Sequence, residues 1–119
     1  LAVVAEHFGR ASVGRTHPAS PERPATIRGY FQLPPDKNSR LALAVSHHPQ
    51  GDWRLVVKAN GEALHDSIIA AKTTIDGWLE LSIDLNPFVG QTVDLELNNE
   101  ATGWNHEDAF WGRIEVVSE

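Results

Sequence analysis

The segment from Ile83 to Leu97 constrains the fold of this chain more than any other stretch of its sequence. It begins with apolar residues at alternate positions, continues through Asn-Pro-Phe and Val-Gly-Gln, and ends in a second alternating run. In that second run Val93, Leu95 and Leu97 share one side, and the polar residues between them share the other. Period-two alternation is typical of a strand that is buried on one face. The segment therefore predicts two antiparallel strands joined by a corner.

Short segments of the same kind recur along the chain, separated by turns rich in Gly, Pro, Asn and Asp. The dipeptide Asn60-Gly61 predicts a tight hairpin, because both residues tolerate positive φ. No useful length of sequence has helical periodicity, and helix is expected only as a turn near Pro87. About eight strands at this spacing indicate a β-sandwich or jelly roll. The predicted strands are Ala2–Phe8, Thr26–Leu33, Leu41–Ser46, Trp53–Ala59, Glu62–Ile69, Trp78–Leu85, Thr92–Asn98 and Phe110–Val117.

Length and composition limit the classes of protein to which the chain can belong. Its 119 residues suffice for one domain, with 41% hydrophobic and 22% charged residues. The net charge of −6 and the scattered Lys and Arg argue against nucleic-acid binding. No apolar run approaches a membrane span, and the absence of cysteine excludes disulfides and thiol chemistry. Because the sequence starts with Leu1 and lacks Met, we expect residues 1–119 to be a single module excised from a larger protein.

The segment Gly9–Ala25 interrupts the strand pattern. It carries Pro18, Pro21 and Pro24 and few large apolar residues, so we expect an extended excursion and not a regular element. Two outcomes are open for this segment: it packs across the sandwich as an ordered arm, or it is mobile.

Strand parity assigns the side chains of the last strands to opposite faces. It places Phe110 and Ile114 on one face and Trp111 and Arg113 on the outward face. Trp78 lies opposite the apolar residues of its own strand, but it follows a glycine at the start of that strand. We therefore expect Trp78 to fold over the sheet edge and to be mostly buried.

The Ile83–Leu97 element and the closing segment Ala109–Val116 resemble the corresponding elements of galactose-binding-domain-like β-sandwiches. This jelly-roll group includes many carbohydrate-binding modules, and related sandwiches are found appended to large exported bacterial proteins. The resemblance is most specific from Trp78 to Val117. It implies an all-β antiparallel jelly roll, an extracellular or periplasmic location and a carbohydrate ligand. Ligand sites of the group lie in loops at one end or on the concave sheet face.

The loop from Asn98 to Asp108 is the region in which the sequence itself favours a ligand site. It is dense in planar polar groups and carries Trp104 beside a glycine, with no evident core to enter. A sugar offers an apolar C–H face to an aromatic ring and hydroxyls to polar side chains. Alternatively, Trp104 folds back and plugs one end of the sandwich. With the resemblance, the ligand candidates are His47, His48, Asp52, Trp104, Asn105 and His106 in end loops, and Trp111 and Arg113 on the sheet face.

The resemblance also implies a structural calcium ion. Its acidic candidates here are Glu107 or Asp108, with Glu6 as a distant third. The histidines do not favour a transition metal, because His47 and His48 are adjacent and would point to opposite faces of an extended strand.

Signals for catalysis are weak in this sequence. No serine lies in a Gly-x-Ser-x-Gly motif. The carboxylates of Asp94, Glu96 and Glu115 fall outward on regular strands, where we interpret them as solvated charges opposite Arg113. We therefore predict a non-catalytic accessory module that binds carbohydrate. The alternative is a structural or protein-interaction sandwich that packs against a neighbouring catalytic domain.

Overall fold

The computed structural model describes all 119 residues and has nine strands in two antiparallel sheets. The strands are β1 (Ala2–His7), β2 (Arg10–Thr16), β3 (Ala25–Gln32), β4 (Ser39–His47), β5 (Trp53–Ala59), β6 (Glu62–Ile69), β7 (Trp78–Asp84), β8 (Thr92–Glu100) and β9 (Ala109–Ser118). One sheet has five strands in the order β1-β2-β9-β4-β7, and the other has four in the order β3-β8-β5-β6. The predicted all-β antiparallel sandwich is confirmed.

Helical structure is confined to two short 3-10 turns. The turn Asn86–Phe88 is the expected one, and the turn Ala71–Thr73 after β6 was not predicted. Neither turn has the length or the apolar composition that a membrane-crossing helix requires.

The main core fills the space between the two sheets. Trp53, the first residue of β5, is fully buried in this core, with its ring centroid 5.2 Å from that of Trp111. Val93, Leu95 and Leu97 of β8 are also buried in this core, as their alternation predicted. Each large apolar side chain contributes about 1.5–3 kcal/mol by burial, so this core is sufficient to hold the two sheets together.

The hairpin between β5 and β6 has the predicted tight turn. Asn60 and Gly61 both have positive φ, at 50° and 81°. The Asn60 side-chain oxygen also accepts a hydrogen bond from the Asp94 N–H at 2.8 Å, which ties the turn to β8.

The prediction that Gly9–Ala25 forms no regular element is wrong for the first half of this segment, because Arg10–Thr16 forms β2. This strand pairs with β1 along its length, but with β9 only through Gly14–Thr16. Its Val13 is fully buried against Trp78 on the outer face of the five-stranded sheet. The β1–β2 hairpin therefore covers part of that face, as a second layer outside the main core.

The faces predicted for the side chains of the last strand are wrong for the residues before Gly112. Val45 of β4 pairs with Trp111, but the preceding residue of β4 pairs with Arg113, so Gly112 is an extra residue in β9. A bulge of this kind shifts the alternation of side chains by one residue. Trp111 consequently faces the core, with 4% of its surface exposed, while Phe110 faces the hairpin. This burial removes Trp111 from the outward sheet face on which the sequence analysis placed it.

Candidate functional site

Three loops at one end of the sandwich line a shallow, open cleft of about 670 Å³. They are the β4–β5 turn, the segment that contains the 3-10 turn after β6, and the β8–β9 loop. The predicted site residues Asp52, Trp104 and Asn105 all line this cleft. Lys72 lines the side that the 3-10 turn contributes. The cleft therefore combines one aromatic ring with a carboxylate, an amide and an ammonium group.

Trp104 is the exposed tryptophan of the protein. Its side chain is 52% exposed, whereas the other three tryptophans are at most 7% exposed. One edge of the ring meets His17, with 5.1 Å between the ring centroids and an interplanar angle of 76°. The ring does not enter the core, and its exposed surface is available to an apolar partner.

Glu107 lies beneath the loop that carries Trp104 and is 2% exposed. Its Oε1 accepts hydrogen bonds from the Thr102 N–H at 2.6 Å and the Gly103 N–H at 3.2 Å. Its Oε2 accepts a third from the Asn105 N–H at 3.3 Å. The backbone N–H donors thus stabilise the negative charge of a buried carboxylate that has no cationic partner, and the loop folds around this carboxylate.

Two predicted site residues, His48 and His106, join two of the loops that form the cleft but do not line it. The rings of His48 and His106 stack with centroids 3.9 Å apart and planes 9° from parallel. Beside them Gly51 lies so close to His106 that an added Cβ would be 2.0 Å from the His106 carbonyl oxygen. Only glycine fits this approach, and the β4–β5 turn and the β8–β9 loop therefore pack tightly.

His47 does not line the cleft. It is 3% exposed, and its Nδ1 donates to the His48 carbonyl oxygen at 2.7 Å. Its Nε2 lies 3.3 Å from the Thr74 hydroxyl, near the base of the 3-10 turn. The structure places this predicted site residue under the loops, where it supports them from below.

The charged residues of the sheet faces pair with one another. Arg28 of β3 donates to Asp94 at 2.9 Å and to Glu96 at 2.8 Å, so the expected pairing of these carboxylates with Arg113 is wrong. For the third carboxylate the expectation is confirmed, because Arg113 donates to Glu115 at 2.7 Å on the five-stranded sheet. Arg113 lies outside the end cleft.

A second ion pair on the four-stranded sheet also affects titration. Arg54 of β5 donates to Asp66 of β6, and this hydrogen bond lowers the pKa of the Asp66 carboxyl below its usual value. The outer face of the four-stranded sheet is therefore a surface of mutually compensated charges.

The acidic residues do not fit the calcium site that the resemblance implied. Both oxygens of Glu107 are turned toward backbone N–H groups of its own loop. Asp108 faces Arg15, with 3.9 Å between the carboxylate and the guanidinium, and Glu6 accepts the Gly9 N–H at 2.6 Å. No three acidic or histidine side chains converge anywhere in the protein. A calcium ion would have to displace donors that these carboxylates already hold.

His7 lies beside the Ser46 hydroxyl as a general base lies beside a nucleophile, but a substrate could not reach this hydroxyl. His7 Nε2 lies 3.1 Å from the Ser46 hydroxyl and 2.9 Å from the His47 carbonyl oxygen. Ser46 is fully buried, and its hydroxyl donates to the Gly77 carbonyl. The His7 ring stacks on Phe110, and burial lowers the pKa of its imidazole. This contact attaches the β1–β2 hairpin to β4.

Two features of the cleft are missing from the sequence analysis. The sequence does not predict Lys72 as a site residue, because nothing local indicates that the segment after β6 reaches the β8–β9 loop. The role of Glu107 was also missed, since its partners are backbone N–H groups, which every sequence contains.

The comparisons with known proteins support the fold. No protein-family model matches the chain, and no curated protein matches its sequence. Among solved structures, the sugar-binding C-terminal domain of EclA matches with a TM-score of 0.52 and 11% identity, covering 78% of this chain and 79% of that chain. An insecticidal delta-endotoxin of Bacillus thuringiensis matches with a TM-score of 0.53 and 10% identity, covering 92% of this chain and 20% of the toxin.

A third solved structure, a cyclase from Fischerella sp. TAU, matches with a TM-score of 0.53 and 14% identity, covering 98% of this chain and 79% of the cyclase. The similar structures thus include a sugar-binding domain, part of a toxin and a cyclase. At these identities the similarities show a shared β-sandwich fold, which is known to carry different activities.

Proposed function

We propose that this protein is a non-catalytic carbohydrate-binding module whose ligand occupies the end cleft. The observation that carries the proposal is the 52% exposure of Trp104 in a cleft that also contains Asp52, Lys72 and Asn105. An exposed indole beside hydrogen-bonding groups matches the two surfaces of a sugar, its C–H face and its hydroxyls.

Each side chain of the cleft has a distinct role in this proposal. The Trp104 ring stacks on the apolar face of a pyranose. The Asp52 carboxylate accepts from sugar hydroxyls, Lys72 donates to a ring or hydroxyl oxygen, and the Asn105 amide does both. Because binding costs offset much of each contact, we expect dissociation constants of roughly micromolar to millimolar size.

The similar structures support an accessory role within a longer chain. The EclA domain is described as C-terminal and sugar-binding, and the matched region is 20% of the endotoxin chain. We further propose that the module belongs to an exported protein and lies in an extracellular or periplasmic location, where glycans are accessible.

The test is a glycan-binding screen of the isolated 119-residue protein, followed by calorimetry on any glycan that binds. Trp104→Ala should abolish measurable binding. The matched control is Tyr30→Ala, which removes an aromatic side chain that is 68% exposed on β3, outside the cleft. That variant should bind like the wild type. Equal losses in both variants, or unchanged binding by Trp104→Ala, would place the ligand elsewhere.

A protein-interaction role is favoured by a different part of the molecule. Phe31 and Ile114 are 38% and 41% exposed beside a small apolar cleft of about 90 Å³ on the open flank of the sandwich. Apolar surface of this kind suits packing against another domain. If no glycan binds, Phe31→Ser in the longer parent protein should loosen domain packing, which limited proteolysis would detect.

A further inference from the structure

Glu107 is the buried carboxylate on which the Trp104 loop is built. Besides accepting from three backbone N–H groups, its Oε1 lies 3.1 Å from the Thr102 hydroxyl, whose one proton is shared with the Asp52 carboxylate. Its own carbonyl oxygen accepts a hydrogen bond from the Asn99 side-chain amide at 3.1 Å, and Asn99 is fully buried in β8. Glu107 is therefore anchored to the sheet through its backbone carbonyl and to the loop through its carboxylate.

The residues that donate to Glu107 lie on both sides of Trp104. Gly103 precedes the tryptophan and donates to Oε1, and Asn105 follows it and donates to Oε2. Fixing both neighbouring peptide groups restricts where the Trp104 Cα can lie. Trp104 is 52% exposed, and the one aromatic ring that contacts its indole is that of His17, edge-on. The position of the ring is thus set by the backbone and not by side-chain packing.

We infer that Glu107 is a positioning residue for ligand binding, which holds Trp104 in the orientation that a ligand in the cleft requires. The inference rests on the proposed function and adds a named residue that lines the cleft but is 2% exposed, with both carboxylate oxygens bonded to the loop. A loop that is already ordered in the free protein loses no further conformational entropy when the ligand binds. Hydrogen bonds to a charged acceptor are also stronger than neutral ones, so a single carboxylate can order several residues.

The experiment compares Glu107→Gln and Glu107→Ala with Asp108→Asn. The control removes one negative charge from the adjacent residue, whose carboxylate faces Arg15 and makes no bond to the loop. The first measurement is made without ligand, as the anisotropy decay and acrylamide quenching of tryptophan fluorescence. The other three tryptophans are buried, so the quenchable signal comes from Trp104.

We expect the mobility of the Trp104 ring to increase from the wild type to Glu107→Gln and further to Glu107→Ala. Glu107→Ala should increase the nanosecond mobility and quenching of the ring most. Glu107→Gln should do so less, because its amide oxygen can still accept the Thr102 and Gly103 N–H groups. The Asp108→Asn control should match the wild type. For a glycan that binds the wild type, affinity should fall in the same order, with a loss of about tenfold or more for Glu107→Ala.

The inference and the proposed function fail in different ways. A Trp104 ring as rigid in both Glu107 variants as in the wild type would overturn the inference, whatever the affinity does. Failure of every glycan to bind the wild type would overturn the proposed function and, with it, the ligand role of Glu107. If Glu107→Ala does not fold, the Glu107→Gln variant alone decides the comparison, because it keeps the size of the side chain.

Discussion

Two tryptophans lie outside the main core, and they differ in what covers them. Trp78, on the outer face of the five-stranded sheet, is 7% exposed under the β1–β2 hairpin. Its indole N–H donates to the Phe8 carbonyl at 3.1 Å, and the Arg10 guanidinium lies 4.4 Å from the ring centroid. Trp104, at the end of the sandwich, is held by its backbone and left half exposed. A second layer makes the first ring structural, whereas the absence of one leaves the second available to a ligand.

The largest expected difference is in stability. Trp78→Ala should lower the free energy of unfolding by about 3–5 kcal/mol, as truncation of a buried aromatic does. Trp104→Ala should change it by less than about 0.5 kcal/mol, because the ring contributes little packing. Urea unfolding of both variants measures the difference. A loss below about 1 kcal/mol for Trp78→Ala would mean that the hairpin does not cover the ring in solution.

Two glycines, one beside each tryptophan, allow the same comparison of stability with a smaller expected effect. A Cβ on Gly112 would lie 2.7 Å from the Trp78 ring, while a Cβ on Gly103, beside Trp104, has no atom within 4 Å. Gly112→Ala should therefore cost about 1–3 kcal/mol by overpacking, and Gly103→Ala should be close to neutral. Thermal unfolding of the two variants tests this. Similar melting temperatures would contradict the packing of Trp78 on the β9 bulge.

How far the sequence predicts the molecule depends on how regular each strand is. The strand β8 alternates strictly from Thr92 to Leu97, so the buried side of that stretch was predicted correctly. In β9 a single extra residue, Gly112, reverses the parity; a glycine inside a strand often marks a bulge, but it does not fix which residues change face. The strand β2 was missed because small and polar residues such as Ser12 and Gly14 surround its one buried residue, Val13. Its covering role depends on contacts with Trp78, which lies far away in sequence.

The candidate site was predicted in part for the same reason. Trp104 and Asn105 belong to one loop, so their composition indicated a site directly. The opposite side of the cleft comes from Lys72, and only the folded sheets bring that segment close. His47 was grouped with this site because it is polar and adjacent to a loop, but it is the last residue of β4 and its side chain is buried.

Acidification should loosen the covered region. His7 of the hairpin is partly buried, which lowers the pKa of its imidazole; His47, His48 and Glu6 are the charged or titratable neighbours that also act on it. Because the unfolded chain then binds a proton more readily than the folded one, this group removes stability as the pH falls below the ordinary histidine value of about 6.5. No such loss arises above that pH, where the imidazole is neutral in both states.

Urea midpoints measured between about pH 7.5 and 5 test this dependence, which spans the range in which histidine titrates. The slope of stability against pH should be shallower in His7→Asn than in the wild type. His65, whose pKa burial also lowers, remains in both proteins and keeps part of the slope. An unchanged slope in His7→Asn would show that the imidazole is solvated and that the hairpin does not enclose it.

The four indole N–H groups offer the most direct test of the central claim that Trp104 is the ligand platform. Trp53, Trp78 and Trp111 donate to Ser46, Phe8 and Thr16, so three of the four protons are protected within the protein. In a proton–nitrogen NMR spectrum recorded during titration with a glycan, the account predicts that one rapidly exchanging indole signal shifts and three protected signals stay in place. A titration in which binding shifts a protected signal, and leaves the exposed one unchanged, would contradict it.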